Sequence, residues 1–160
     1  MKKLTLLLAL LIYLAAGPAL YAQQLTIQAD AGKQVLSRTD IEGLPHVKVR
    51  ASEHSSGPVG FEGVTLKSIL EKAGVSFGES LKGKRLSSCL LVEAADGYRV
   101  VIALPELDPA FTNKQTLLVF LRDGKPLGEK EGPYRILIPD EKRMARWVRQ
   151  VTTLKIVEVQ

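Results

Sequence analysis

The sequence predicts an α+β domain in which short strands form a mixed sheet and a few short helices lie against it. Apolar runs of strand length recur between Gly, Pro and Asp residues along most of the chain. Only residues 65–74 have the apolar period of a clear helix. The chain shows no internal repeat and no linker-like stretch, so a single domain is expected.

The first residues have the pattern of an export signal. Lysines near the start precede an apolar run over residues 4–16, and small Ala22 stands where a signal peptidase would cut. The apolar run is shorter than a typical membrane-spanning helix. We therefore expect a cleavable signal peptide at 1–22, a domain at 23–160 and a periplasmic or secreted location. The alternative is a retained anchor that holds the protein at a membrane.

Charge and cysteine content narrow the class of protein further. Without residues 1–22, which carry two lysines and no acidic residue, the formal net charge falls from +5 to +3. This excess is mild, so a nucleic-acid partner is not expected. Cys89 is the only cysteine, so no disulfide can form within the chain. We expect Cys89 to be a small buried hydrophobe in a strand, and a reactive thiol is the alternative.

Two alternating runs predict the first strands. Residues 25–29 and 47–51 alternate apolar and polar side chains, as strands with one solvated face do. Between them residues 35–36 begin a less certain segment and residues 41–45 form a connector. Residues 52–60 combine Ser, Gly and Pro, which is typical of a loop.

The clear helix follows this loop. Thr65 can cap it through its hydroxyl, and Gly74 can supply the left-handed residue that ends it. Its apolar face comprises Leu66, Ile69, Leu70 and Ala73. We expect an amphipathic helix that lies on a sheet, and a membrane- or partner-binding helix is the alternative.

The central stretch, residues 90–109, predicts a hairpin. Asp96 and Gly97 stand between two apolar runs and suit a two-residue type I′ turn. This turn places Tyr98 at the bend of the hairpin. After the second strand, Pro105 is well placed to open a short helix.

The last third of the chain predicts three further strands. Residues 116–121 lead to a turn at 123–124, and residues 132–139 form an apolar run in which Arg135 is the only charge. That arginine must reach a partner or a pocket, because a buried unpaired charge is costly. Residues 151–159 alternate imperfectly, which a β-bulge or burial on both faces would explain.

Signatures of common enzyme classes do not occur in the sequence. It contains no G-x-S-x-G elbow, no P-loop and no H-E-x-x-H motif. The two histidines, His46 and His54, have no cysteine or further histidine at ligand spacing, so no zinc site is expected. Both are expected to be solvated, and no catalytic residue can be assigned.

A cationic cluster is the strongest sign of a binding site. Its members are Lys142, Arg143, Arg146 and Arg149, which surround the single tryptophan, Trp147. Arginine forks suit phosphate, sulfate or carboxylate, and a tryptophan face can stack a guanidinium or a flat heterocycle. We expect an anion pocket here that includes Arg135. The alternative is a solvated surface turn that Asp140, Glu141 and water neutralise.

Several motifs together resemble one family. Residues 61–66 are similar to the aromatic-x-Gly-Val-x-Leu start of a helix in the oxidoreductase molybdopterin-binding domain of the sulfite-oxidase type. The later matching segments, in order, are 96–98, 117–121, 123–127, 132–139 and 146–148. The resemblance covers residues 25–159 and implies a mixed α+β fold that buries a molybdenum cofactor.

The resemblance also implies roles for particular residues. In that family a cysteine from the loop before the helix binds molybdenum, but this loop has none, and Ala51 or Ser52 stands near its place. The pocket tyrosine of the family matches Tyr98. The segment that helps to hold the pterin phosphate matches residues 142–147, with Arg146 in place of the usual lysine.

These observations predict an exported domain of the molybdopterin-binding fold that lacks conventional molybdenum catalysis. The reason is the missing cysteine, since a serine at its place cannot supply the thiolate ligand. It would bind a small anion, a pterin-like molecule or a protein partner. The candidate pocket residues are Tyr98, Arg135, Lys142, Arg143 and Arg146. Two alternatives stay open: an active oxidoreductase that holds the molybdenum cofactor without a cysteine, and a structural module that binds a partner in a redox complex.

Overall fold

The computed structural model describes residues 23–53 and 57–158. Within these ranges ten strands and two short α-helices alternate with 3₁₀ turns, which confirms the predicted α+β class. The expected signal peptide with its cut at Ala22, and His54, lie outside the described residues. No helix in the described ranges has the length and apolar character needed to cross a bilayer.

The strands divide between two sheets of five. In chain order they are β1 (Leu25–Ala29), β2 (Gly32–Leu36), β3 (His46–Ser52), β4 (Pro58–Thr65), β5 (Ser88–Ala94), β6 (Arg99–Ala103), β7 (Leu117–Arg122), β8 (Lys125–Pro126), β9 (Arg135–Leu137) and β10 (Val151–Glu158). The helices are α1 (Arg38–Glu42) and α2 (Leu66–Lys72), and the 3₁₀ turns are Gly78–Ser80, Gly83–Ser87, Leu104–Leu107 and Met144–Arg146.

The first sheet has the order β2-β1-β10-β5-β6. Its β1–β10 pair is parallel and its other pairs are antiparallel, so it is the predicted mixed sheet. The second sheet has the order β3-β4-β7-β8, with β9 also paired to β7, and all of its pairs are antiparallel. The local sequence patterns do not indicate this division into two sheets.

The apolar face of α2 packs into the core as predicted. Its buried members are Leu66, Ile69, Leu70 and, just after the helix, Ala73. The Thr65 hydroxyl accepts a hydrogen bond from the Ser68 amide, which satisfies one of the free donors of the first turn. Gly74 then adopts φ +86° and turns the chain out of the helix.

Two elements differ from the sequence prediction. Residues from Pro58 onward form β4 rather than the end of a loop, and Gly60 and Gly63 lie inside this strand. Glycine and proline signals concealed the strand because they indicate turns elsewhere. The sequence pattern indicates only an uncertain segment and a connector where the helix α1 forms. Ser37 and Asp40 form a capping box at its start, which is the local signal that could have revealed it.

The central hairpin has a three-residue loop rather than the predicted type I′ turn. The Ala94 amide donates to the carbonyl oxygen of Tyr98, which leaves residues 95–97 in the loop. Gly97 has φ +85°, but Asp96 is not among the left-handed residues, so it does not satisfy the type I′ geometry. The type I′ signature belongs to the next hairpin, between β7 and β8. There Asp123 and Gly124 have φ values of +47° and +75°.

The final strand contains the predicted irregularity. The register between β10 and β5 shifts between Val151 and Thr153, as a β-bulge would cause. Leu154 is fully buried, whereas Ile156 and Val157 are half-buried. Both explanations offered for the imperfect alternation therefore apply.

His46 ties α1 to the second sheet. Its Nδ1 lies 2.8 Å from the Glu62 Oε1 atom, and its Nε2 lies 2.8 Å from the Glu42 carbonyl oxygen. The imidazole also packs edge-on against Phe120. His46 is exposed, as expected of a solvated residue, but its ring is also held by two hydrogen-bond partners. Because both partners are acceptors, only the doubly protonated ring satisfies them, and the Glu62 side chain and the Glu42 carbonyl raise the pKa of His46.

We expect the contribution of His46 to stability to fall as the pH rises above neutrality. A pKa raised by folding gives a stabilisation that is complete below the unfolded value of about 6.5 and is lost as the pH rises through the folded value. The measurement is urea unfolding of the native protein and His46→Ala between about pH 6 and pH 9. The difference in unfolding free energy should shrink steadily across this range.

The other charged groups near the imidazole do not obscure the pH dependence that this experiment measures. Glu62 is also paired with Lys48, and Glu42 with Arg38. The same two ion pairs can form in His46→Ala, so comparing the two proteins isolates the effect of the imidazole. A difference in unfolding free energy that stayed constant over this range would contradict the proposed double hydrogen bond.

Candidate functional site

A cavity of about 390 Å³ lies between the end of the central hairpin, β9 and the segment that contains Trp147. Its lining residues are Ala94, Asp96, Tyr98, Arg135, Met144, Ala145, Trp147, Val148 and Arg149. This volume is at the lower end of the range for small-molecule sites. Two of the five predicted site residues, Tyr98 and Arg135, line this cavity, which we call the Tyr98–Trp147 cavity.

Two aromatic side chains line the cavity, and their polar ends fix them. The half-exposed Tyr98 donates its hydroxyl hydrogen to the Ala145 carbonyl oxygen at 2.8 Å. Trp147 is almost fully buried and donates its indole N–H to the Ile138 carbonyl oxygen at 3.0 Å. Both rings are therefore held in place, as a site for a flat ligand requires.

Arg135 contributes a buried cation to the cavity. Its side chain is only 2 % exposed, and its Nη1 lies 2.5 Å from Glu53 Oε1 and 3.2 Å from Glu131 Oε1. The guanidinium carbon lies 5.6 Å from the centre of the Trp147 ring and 5.9 Å from that of Phe61. Arg135 therefore has two carboxylate partners and also lines a cavity, whereas the sequence predicted that it needed one or the other. Its buried Nε has no hydrogen-bond partner among the described residues.

Arg122 completes a network of four charges. Its Nη2 lies 2.8 Å from Glu53 Oε2, and its Nη1 lies 3.2 Å from Glu131 Oε1. The two carboxylates are largely buried, with side-chain exposures of 11 % for Glu53 and 17 % for Glu131. Two arginines and two glutamates therefore neutralise one another beside the cavity. No local sequence pattern indicates this network beyond the need of Arg135 for a partner.

The other predicted site residues lie in a separate depression, lined by Glu141, Lys142, Arg143, Ala145 and Arg146. Arg146 donates from its Nε to Glu141 Oε1 at 2.8 Å, and its Nη2 lies 3.3 Å from Glu106 Oε2. Burial lowers the pKa of Arg146, but these two carboxylates outweigh that effect and raise it. Lys142 and Arg143 are exposed.

The structure therefore splits the predicted five-residue pocket into two groups. Arg149, which the sequence analysis placed in the cationic cluster but not in the pocket, lines the Tyr98–Trp147 cavity instead. It is exposed and forms no ion pair within the described part of the chain. Among the described residues that line this cavity, Arg149 is the cation that is free to bind a ligand.

The family comparison agrees with the fold. The family model for the oxidoreductase molybdopterin binding domain matches residues 23–160. The chain belongs to this family. The recognition made from the sequence motifs is thus confirmed.

A solved structure shows the same fold. The crystal structure of the sulfane dehydrogenase SoxCD from Paracoccus pantotrophus aligns with a TM-score of 0.65 and 18 % sequence identity. The alignment covers 84 % of this chain but only 38 % of the other, so this molybdopterin-binding domain spans well under half of its structural neighbour. A comparison with curated proteins gave no match.

Within this molybdopterin-binding domain, the place expected for the metal-binding cysteine is at the end of β3. There Ala51 is buried, Ser52 is exposed, and the next residue is Glu53, whose carboxylate pairs with Arg122 and Arg135. Cys89 lies in β5 of the other sheet, half-buried rather than fully buried, and does not line the cavity. Across the described residues, no group of three or more His, Cys, Asp or Glu side chains is arranged to hold a metal ion.

Proposed function

We propose that this chain is a ligand-binding member of the molybdopterin-binding family that does not hold molybdenum through a protein thiolate. Its ligand is a small, flat anion such as a pterin-like molecule, and its site is the Tyr98–Trp147 cavity. The observation that carries this proposal is Arg135. It is a guanidinium almost completely buried at the cavity, stacked near Trp147, with an Nε that still lacks a partner among the described residues.

The residues present do not fit the metal centre that the family implies. A thiolate is a soft donor, and the described residues around the cavity supply none. Glu53 brings a carboxylate to the end of β3, but both of its oxygens already face arginines. If Glu53 bound a metal, Arg122 and Arg135 would each lose one of their carboxylate partners. Arg146, expected to face the pterin phosphate, is already paired with two carboxylates.

The cavity suits a flat organic anion better than a compact inorganic one. Rings from Tyr98 and Trp147 offer apolar surfaces, and Met144 adds a polarisable thioether. Arg149 at the cavity can pair with a carboxylate or similar group. A ligand that joins a planar ring to a negative charge would use all of these contacts.

Two other functions make different predictions. An active molybdenum oxidoreductase would require the cofactor to be retained without a cysteine; its support is the family and the name of the structural neighbour, a dehydrogenase. A structural module that binds a protein partner would leave the cavity without a small-molecule ligand. Half-exposed Val101 on β6 and Phe111 provide apolar surface for such a partner.

We also propose that the protein is exported and that residues 1–22 are removed. The support is the basic head, the apolar run and the small residue at Ala22. Sequencing the N-terminus of protein recovered from the periplasm or the medium should give Gln23 as the first residue. Recovery of an intact N-terminus in a membrane fraction would establish the anchor instead.

Replacing Tyr98 by alanine should weaken binding of a pterin carboxylate about tenfold. The loss of one aromatic contact in a small site corresponds to about 1.4 kcal/mol. Isothermal titration calorimetry on the native protein and Tyr98→Ala measures this change. Arg143→Gln is the matched control, because Arg143 lies in the other depression, and its affinity should equal that of the native protein.

The same titration can reject the proposal. No binding by the native protein would favour the partner-binding module. If Arg143→Gln weakened binding and Tyr98→Ala did not, the ligand would occupy the depression around Arg146 and the Tyr98–Trp147 cavity would not be the site.

A further inference from the structure

The charges around the Tyr98–Trp147 cavity nearly cancel. Arg135 is the buried cation of the cavity, but Glu53 and Glu131 both lie within 3.2 Å of its Nη1. Those carboxylates also pair with Arg122, so the four-residue network carries no net charge. The remaining charged lining residues are Arg149 and Asp96, which have opposite signs.

The geometry of Arg135 limits what it can offer a ligand. Trp147 and Phe61 lie near its guanidinium carbon, and its Nη1 is occupied by the two carboxylates. Its Nε is still free to donate among the described residues. Arg135 can therefore give a hydrogen bond to a ligand, but its charge is already compensated by Glu53 and Glu131.

We propose that the cavity selects a flat ligand with a single negative charge, and that Glu53 sets this preference. This inference rests on the proposed function, since it concerns the same cavity. One negative charge on the ligand pairs with Arg149, the cation that forms no ion pair with any described residue. A second negative charge would find no free cation and would lie near the carboxylates of Glu53 and Glu131, whose repulsion is strong in a largely buried site.

Glu53 acts on the ligand through Arg135, so it is a positioning and charge-setting residue. Its side chain is 11 % exposed and does not line the cavity. Replacing it by glutamine keeps the shape and an acceptor oxygen for the arginines but removes one negative charge. The network would then carry a net positive charge, and the cavity should accept a second negative charge on its ligand.

Three probes with the same ring test the charge preference: benzamide is neutral, benzoate has one negative charge and phthalate has two at about pH 7.5. Titrations followed by the indole N–H resonance of Trp147, the only tryptophan in the chain, report binding at the cavity. In the native protein benzoate should bind about tenfold more tightly than benzamide, as one charged hydrogen bond predicts. Phthalate should bind no more tightly than benzoate.

In Glu53→Gln the affinity for phthalate relative to benzoate should rise about tenfold. Glu129→Gln is the control, because it makes the same charge change at an exposed residue that does not line the cavity. The phthalate-to-benzoate ratio should stay at the native value in this control. Glu131→Gln should act like Glu53→Gln and serves as a second variant if Glu53→Gln does not fold.

The outcomes separate the two proposals. If the native protein binds the probes but prefers phthalate, or if neither glutamate variant changes the ratio, the charge preference is overturned and the binding function stands. If none of the three probes shifts the Trp147 resonance, the cavity is not a site for flat anions and both proposals fail.

Discussion

Replacing Arg135 by alanine is expected to lower the free energy of unfolding by about 3 kcal/mol or more. The substitution leaves Glu53 and Glu131 close together in a largely buried place with only Arg122 to compensate them. It also removes the contacts of the guanidinium with Phe61 and Trp147. Breaking a buried ion network by removing one partner is costly because the opposite charges stay behind.

Urea unfolding monitored by circular dichroism measures this loss. Arg143→Ala is the matched control, since Arg143 is exposed and makes no ion pair among the described residues, and it should change stability by less than about 0.5 kcal/mol. The double variant Arg135→Ala with Glu53→Gln should recover part of the loss, because the uncompensated charge is gone. A loss in unfolding free energy below about 1 kcal/mol for Arg135→Ala would contradict the claim that this buried ion network stabilises the fold.

Replacing Gly63 by alanine is expected to be the most disruptive change in the second sheet. A Cβ atom at this position would lie 2.2 Å from the Leu118 carbonyl oxygen and 2.6 Å from the Val119 Cα atom. Both contacts are with the backbone of β7, so no side chain can turn away to relieve them. The register between β4 and β7 shifts beside this glycine, which marks the close approach of the two strands.

We expect Gly63→Ala to cost about 3 kcal/mol or more, at the upper end of the range for overpacked cores, and to leave little folded protein at elevated temperature. Gly128→Ala is the control. Its Cβ would meet no atom within 4 Å, and its φ does not lie in the left-handed region. The control should be neutral or slightly stabilising. Equal stabilities for the two variants would show that β4 and β7 do not approach as described.

The sequence predicted the elements whose local signals agree with their packing. The helix α2 has its cap at Thr65, its apolar period and its terminating Gly74, and all three act as expected. The strand β4 is concealed in the sequence because Gly63 serves a close backbone approach, a reason that appears only when β7 lies beside it. The two-sheet division likewise depends on long-range pairing that no local pattern specifies.

The candidate site shows the same limit. A charged arginine in an apolar strand must have a partner, because a buried unpaired charge is costly. Arg135 could therefore be identified from the sequence as a candidate site residue. Its partners, Glu53 and Glu131, come from two loops that the fold brings together, so they could not be named. The cationic cluster around Trp147 was grouped by its spacing along the chain. The structure separates the two arginines: Arg146 ends the 3₁₀ turn Met144–Arg146 and lines one depression, whereas Arg149 follows the turn and lines the Tyr98–Trp147 cavity.

The molybdenum content of the protein, purified gently from its native compartment, tests the central claim most directly. Metal analysis should be combined with the fluorescence of oxidised pterin. The proposed function predicts folded protein with molybdenum well below one atom per chain, because the described cavity residues supply no thiolate. A content of about one atom per chain together with pterin fluorescence would contradict it, and would show that the family's cofactor is held here without a cysteine.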